Sequence, residues 1–239
     1  MKTSVYDVVD FHSHILPGVD HGSENLENSI KQLNNAKKFS IKRILATPHF
    51  YPSTHTLSSF LDLRDRAVKK LNDARTSDMP VFKIGAEVLI CEGLERFPGL
   101  DKLFFFGTNH LLLELPFFDF REEYAETVGT LIKNGYNVIL AHADRYPKED
   151  IEVMLDYGVS NLQINADSLC SLVKKRHIKK WFECGLVSMI GSDAHGSGRR
   201  AFSFFEKSQH KISDYLEEIK AKSSIALRAK ILAAFCISK

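Results

Sequence analysis

Short runs rich in β-branched residues alternate with longer stretches of helical period along this sequence. That alternation restricts the fold more than any other feature. Val5–Phe11, Lys42–Thr47, Val81–Glu87, His110–Leu115, Asn137–Ala141, Ser160–Asn165 and Val187–Gly191 read as seven strands. Between the first two, Leu26, Ile30, Leu33 and Ala36 follow helical spacing, with Ser23 as the expected N-cap. Phe60, Arg64, Ala67 and Leu71 mark the next helix. Acidic Glu122, Glu123 and Glu126 open another, with Lys133 and Gly135 at its end. Ile151–Tyr157 and Leu169–Glu183 read as helices, and so does the stretch Phe202–Phe235.

Strands separated by helices specify an α/β protein with a parallel sheet and helices outside. At 239 residues, one closed or nearly closed TIM-like barrel spanning residues 1–239 as a single domain is the simplest arrangement. A doubly wound open sheet is the alternative, but no G-x-G-x-x-G or G-x-x-x-x-G-K-[ST] is present to cradle a nucleotide phosphate. Thirty-two basic and 30 acidic residues nearly cancel, which gives no support for a nucleic-acid partner. No apolar stretch reaches the ~18 residues of a membrane span. The amino end lacks the apolar core of a secretory signal, so a cytoplasmic location is expected. The four cysteines are far apart and read as reduced core residues rather than zinc ligands.

The chemistry gathers at the carboxyl ends of the strands, which in a barrel face one mouth. Those ends carry His12, His14, His21, His49, Glu87, Glu114, His142, Asp193 and His195. His12 and His14 sit two residues apart on a strand, so both imidazoles face one side. Asp193 and His195 repeat the spacing at the far end of the chain. Imidazole with carboxylate suits Zn, Mn or Fe, and nine ligands are too many for one ion. They could hold two or three divalent ions. A lone histidine after a strand is usually a satisfied structural residue, and His55, His110, His177 and His210 are read that way. Six of the ten histidines at strand ends make a different pattern. A single carboxylate in the leucine-rich run at Glu114 also needs a partner, because an unpaired buried charge is costly.

Asp10-Phe11-His12-Ser13-His14-Ile15-Leu16-Pro17-Gly18-Val19-Asp20 resembles the opening signature of the polymerase-and-histidinol-phosphatase (PHP) superfamily. More narrowly it is similar to the bacterial PHP-type protein tyrosine phosphatases of capsule and exopolysaccharide operons. The likeness continues through Ala46-Thr47-Pro48-His49, Gly85-Ala86-Glu87, Glu114-Leu115-Pro116-Phe117, Ala141-His142 with Arg145, and Ser192-Asp193-Ala194-His195, over roughly residues 7–200.

The resemblance implies a distorted (β/α)7 TIM-like barrel holding three metal ions, commonly manganese, with iron, zinc or magnesium as alternatives. His12, His14, Glu87 and Asp193 would hold the first ion. Glu87 would bridge to a second, completed by Glu114 and His142. His49, His195 and the residue at position 21 would hold the third. Arg145 and one of Arg199 and Arg200 would bind the phosphoryl group. This chain departs from the pattern at His21, where the family usually has Asp, at Ala143-Asp144 before Arg145, and in the Arg199-Arg200 doublet.

The implied activity is metal-assisted hydrolysis of phosphotyrosine on a protein. The implied partner is a bacterial tyrosine kinase of polysaccharide export. Cysteine-nucleophile tyrosine phosphatases are set aside. Two alternatives stay open: a histidinol-phosphate phosphatase on the same barrel, and a metal-binding regulatory protein with catalysis impaired at His21.

Overall fold

The computed structural model describes residues 7–170, 176–196, 202–204, 207–208 and 236–237. Strand β1 (Asp7–Ser13) is followed by helix α1 (Leu26–Lys38), β2 (Ile41–Ala46), β3 (His49–Phe50) and α2 (Leu57–Ala74). Then come β4 (Val81–Ile84), β5 (Glu87–Leu89), β6 (His110–Glu114), α3 (Glu122–Lys133), β7 (Asn137–Leu140) and α4 (Lys148–Asp156). Next are β8 (Leu162–Asn165), the short α5 (Ala166–Leu169), α6 (Arg176–Glu183), β9 (Val187–Gly191) and β10 (Cys236–Ile237).

The helices form where apolar period and caps agree. α2 buries Phe60, Arg64, Ala67 and Leu71 on one stripe and is capped by the Thr56 side chain. The buried Arg64 guanidinium is satisfied by the Lys102 carbonyl and Asp65. α1 is capped by Asn25, whose side chain accepts from the Asn28 N–H, and not by Ser23 as expected. The Ser23 hydroxyl is turned inward to Ser29 and the Asn25 carbonyl.

Among the described residues, all strand pairs except β1–β10 are parallel. Two sheets appear, β10-β1-β2-β4 and β3-β5-β6-β7-β8-β9. They are joined because β2 with β3, and β4 with β5, are halves of two kinked strands. Pro48, which has no N–H to give a ladder, lies between β2 and β3. The Gly85 N–H to Ala46 carbonyl and Glu87 N–H to Pro48 carbonyl bonds, 2.9 and 3.1 Å, carry the pairing across the kink. The other seam links first to last. Ser13 bridges Ala194, Asp193 N–H donates to His12 carbonyl at 2.8 Å, and His14 N–H donates to Ala194 carbonyl at 3.1 Å. Seven parallel strand positions thus follow one another around a distorted (β/α) barrel.

Two expectations change, and a third lies mostly outside the described residues. The strand expected over Val81–Glu87 is broken at Gly85-Ala86 and resumes as β5. The helix expected over Leu169–Glu183 is two helices, α5 and α6, with 171–175 outside the described residues. Of the stretch expected to be helical from Phe202, only 203–204 and 207–208 are described as helix, and 209–235 lie outside the described residues. β10, which pairs antiparallel with the start of β1, was not foreseen.

Candidate metal centre

Glu87, at the start of β5, is fully buried and sits at the middle of the cluster. Its Oε2 lies 3.2 Å from His12 Nε2, 3.3 Å from His14 Nε2 and 3.0 Å from His49 Nδ1, and its Oε1 lies 2.7 Å from His142 Nε2. Glu114 adds an oxygen 3.5 Å from His49 and another 3.5 Å from His142. Asp193 Oδ1 approaches His14 Nε2 at 3.5 Å and His195 Nδ1 at 3.3 Å. Eight of the nine expected ligands therefore converge.

Three sets have donor atoms within 4.8 Å of one another: His12, His14, Glu87; His49, Glu87, Glu114; and His14, His49, His195. The first agrees with the grouping implied by the resemblance. The other two bring in His49 and His14 where His142 and His21 were expected.

The side chains present fit divalent cations. The N–H of His142 donates to Gln163 Oε1 at 2.6 Å, so that atom is the amide oxygen. The same oxygen accepts from His12 Nδ1 at 2.9 Å, and the Asp20 carboxylate accepts from His14 Nδ1 at 2.7 Å. With both Nδ1 atoms protonated, both Nε2 lone pairs point at each other across 3.1 Å. Two lone pairs so close repel unless a cation or proton lies between them. Among the described residues, buried His49 Nδ1, Glu87 Oε2, His142 Nδ1 and His195 Nε2 also have no partner in hydrogen-bond geometry, although His49 Nδ1 and Glu87 Oε2 lie 3.0 Å apart. Imidazoles oriented by a carboxylate or amide on the other nitrogen are the usual arrangement at metal sites.

Protonation tells the same story. Burial alone would depress the His49 and His142 imidazoles, but the Glu114 and Glu87 carboxylates override it and lift each to about 9. Burial would likewise raise the Glu87 and Asp193 carboxyls, yet the surrounding histidines hold both well below the usual carboxylate range. Carboxylates this buried keep their charge only beside positive groups or hydrogen-bond donors, and here the imidazoles are both. His142 and Asp193 also hold left-handed backbone, φ 32° and 50°, sparsely populated for non-glycine residues.

His21 is exposed at the rim, its ring 4.9 Å from that of His49 and 4.6 Å from that of His195. Asp20 beside it orients His14 and accepts the His49 N–H at 3.0 Å and the Gly22 N–H at 2.9 Å. Arg145 Nη1 donates to Asp193 Oδ2 at 3.0 Å, and its guanidinium lies 4.3 Å from the centre of the Phe117 ring. It does not pair with Asp144, which holds the Asn165 N–H and the Ser168 hydroxyl. Arg199 and Arg200 lie outside the described residues.

The cysteine reading needs correction. Cys91 and Cys170 are only half-buried and Cys184 is exposed. The setting aside of cysteine-nucleophile tyrosine phosphatases, which use a Cys-x5-Arg loop, cannot rest on the spacing, because Cys170 and Arg176 have it. Cys170 stands at the carboxyl end of α5, however, where a helix dipole disfavours the thiolate that such chemistry requires.

A family model described as "Capsular polysaccharide synthesis, CpsB/CapC" matches residues 8–231. The chain belongs to this family. It is 25% identical to the putative tyrosine-protein phosphatase CapC of Staphylococcus aureus, over 90% of its length and 88% of the relative's. It is 27% identical to the tyrosine-protein phosphatase YwqE of Bacillus subtilis, over 82% and 80%. It also aligns, with a TM-score of 0.71 and 25% identity over 92% of this chain and 90% of the other, with a solved structure from a description of YwqE from Bacillus subtilis and CpsB from Streptococcus pneumoniae as metal-dependent tyrosine phosphatases.

Gln163, Asn165 and Asp10 escaped sequence reasoning as parts of this CpsB/CapC-family site. Asp10 accepts from the Ser192 N–H and hydroxyl at 2.8 and 2.6 Å and so ties β1 to the residue before Asp193. Burial pushes its carboxyl up to about 6 against those bonds. Two amides at alternate positions of the buried strand Leu162–Asn165 were the available signal.

Proposed function

We propose that this chain is a metal-dependent protein tyrosine phosphatase of the PHP superfamily, a single domain acting in the cytoplasm. The observation that carries it is Glu87 in reach of four imidazoles, flanked by Glu114 and Asp193, at the ends of six strand positions. The relatives' described activity points the same way. Two or three divalent ions, manganese first among them, would be held by His12, His14, Glu87 and Asp193, by Glu87, Glu114 and His142, and by His49, His195 and the rim residue His21. Such ions supply a water of lowered pKa and positive charge opposite the phosphoryl oxygens.

The chain's own residues do the rest. Gln163 and Asp20 hold the His12 and His14 rings in one tautomer. Asp193 anchors one nitrogen of Arg145, and the remaining donors of that fork are offered to a phosphoryl oxygen. One of Arg199 and Arg200 is proposed as a second phosphoryl contact. A tyrosyl phenolate, with a pKa of ~10, leaves without a strong general acid. The natural substrate is proposed to be a phosphotyrosine protein, a tyrosine kinase of polysaccharide export being the first candidate.

Purified protein loaded with manganese should hydrolyse phosphotyrosine peptide faster than histidinol phosphate, with the metal measured by elemental analysis. His12→Ala, Glu87→Ala and Asp193→Ala should each lose at least about tenfold in kcat, since losing a nucleophile-bearing ligand costs several kcal/mol. A preference for histidinol phosphate would overturn the assignment in favour of the small-metabolite phosphatase. Metal binding without turnover of either would favour a regulatory protein.

A further inference from the structure

Five large apolar side chains are exposed among the described residues: Leu63, Val81, Phe106, Phe117 and Phe118. Phe117 and Phe118 are adjacent, and they follow the candidate ligand Glu114 by three and four residues. They are 46% and 89% exposed. An apolar ring left in water gives up burial free energy, so two together at the rim of a charged site call for an occupant.

The Phe117 ring is anchored on the site itself. It stacks on the ligand imidazole of His142 with centroids 5.9 Å apart and planes 19° apart, and on Tyr146 at 5.7 Å and 25°. The Arg145 guanidinium lies 4.3 Å from its centre. One side chain thus touches both a candidate metal ligand and the arginine assigned to the phosphoryl group. A phosphate monoester held by Arg145 and by an ion on His142 would have its ester substituent within reach of Phe117, with exposed Phe118 next along the chain. Charged neighbours around the phosphate and bare phenyl surface next to it are complementary to one kind of ester, an aryl phosphate.

We propose that Phe117, with Phe118 beside it, is the specificity-determining element of this site, an aromatic wall against which the substrate's phenyl ring packs. It selects aryl over alkyl phosphates through offset or edge-to-face ring contact, which is favourable at centroid separations of about 4.5–7 Å. This rests on the phosphatase reading above, and the test keeps the two separable.

The manganese-loaded protein is titrated calorimetrically with phenylphosphonate and with methylphosphonate, which are not hydrolysed. Turnover of phosphotyrosine and phosphoserine peptides is measured in parallel. Aromatic pairs of this kind are worth about three- to tenfold in affinity, so Phe117→Leu should cut the phenyl-over-methyl affinity ratio by about that factor. Phe117→Tyr, which keeps the ring, should retain the ratio and shows that the position tolerates change. Phe118→Leu should lower the ratio in the same direction. An unchanged ratio in Phe117→Leu overturns the proposal. So does an equal loss for both phosphonates, because the ring would then serve only to hold Arg145. If the wild type hydrolyses neither peptide, the phosphatase reading fails, while the phosphonate ratio still decides the role of the wall.

Discussion

Gln163 is uncharged, yet its amide oxygen fixes two candidate ligands at once. It accepts from the His12 ring and from the backbone of His142, while its nitrogen donates to Asn165 Oδ1 at 3.0 Å. Gln163→Leu keeps the volume and leaves two buried donors unpaired, at about 1–3 kcal/mol each. Loss of such an orienting partner typically weakens metal binding by about 10–100-fold. A metal titration of the variant reads this directly, and wild-type affinity would show that the amide is only packing. Arg145 is tested at the same scale. Lysine lacks the planar fork, so Arg145→Lys should lower kcat/KM for phosphotyrosine peptide while metal content and Tm stay near wild type. A large fall in Tm would mark the Asp193 contact as structural instead.

Among elements, the seam between β1 and β9 matters most for the site, because His12, His14 and Asp193 stand on its two sides. Gly191 ends β9 where backbone comes too close for any side chain. An added Cβ would lie 2.4 Å from His12 Cβ and 2.9 Å from Gln163 Nε2. Gly191→Ala should therefore force the strands apart, at a cost of about 1–3 kcal/mol or more as for other overpacked interiors. Denaturant unfolding gives the stability and elemental analysis the metal retained. An alanine variant as stable as wild type, with full metal content, would mean the seam can shift without disturbing its ligands.

Over the whole molecule, metal and protons compete for the same nitrogens. In the metal-free protein His49 and His142 are lifted to about 9, against about 6.5 for an unperturbed histidine. A raised histidine pKa stabilises the fold fully below about 6.5, and that contribution disappears as pH rises through about 9. Metal-free protein should thus lose Tm between pH 6.5 and 9. Metal binding displaces those protons, so its affinity should climb over the same range. The Tm gap between manganese-loaded and chelator-treated protein is then expected to widen with pH. A gap that stays constant or narrows would show that these imidazoles are not displaced by metal. At a free metal concentration of a hundred times Kd the loaded form gains about 2.7 kcal/mol.

Sequence alone determined the alternation of strands and helices, the mouth at which the ligands gather, and eight residues that converge there. Those features are written in local terms. Side-chain period places His12 and His14 on one face, and a parallel barrel sends every strand's carboxyl end the same way. Tertiary structure decided what depends on contacts between distant segments. Asp20 binds the His14 ring rather than acting as a free acid, because the chain beyond β1 folds back so that its oxygens meet His14 Nδ1 and the His49 N–H. Arg145 reaches Asp193, 48 residues on, and not its neighbour Asp144. Ser23 lost the helix cap to Asn25, since its hydroxyl is buried against Ser29. Gln163 looked like any polar residue in a strand, and only the closing of the barrel set its amide between His12 and His142. Pattern along a chain fixes direction and face, whereas the partner of a buried polar atom is fixed by whichever distant segment the packed fold brings within about 3 Å of it.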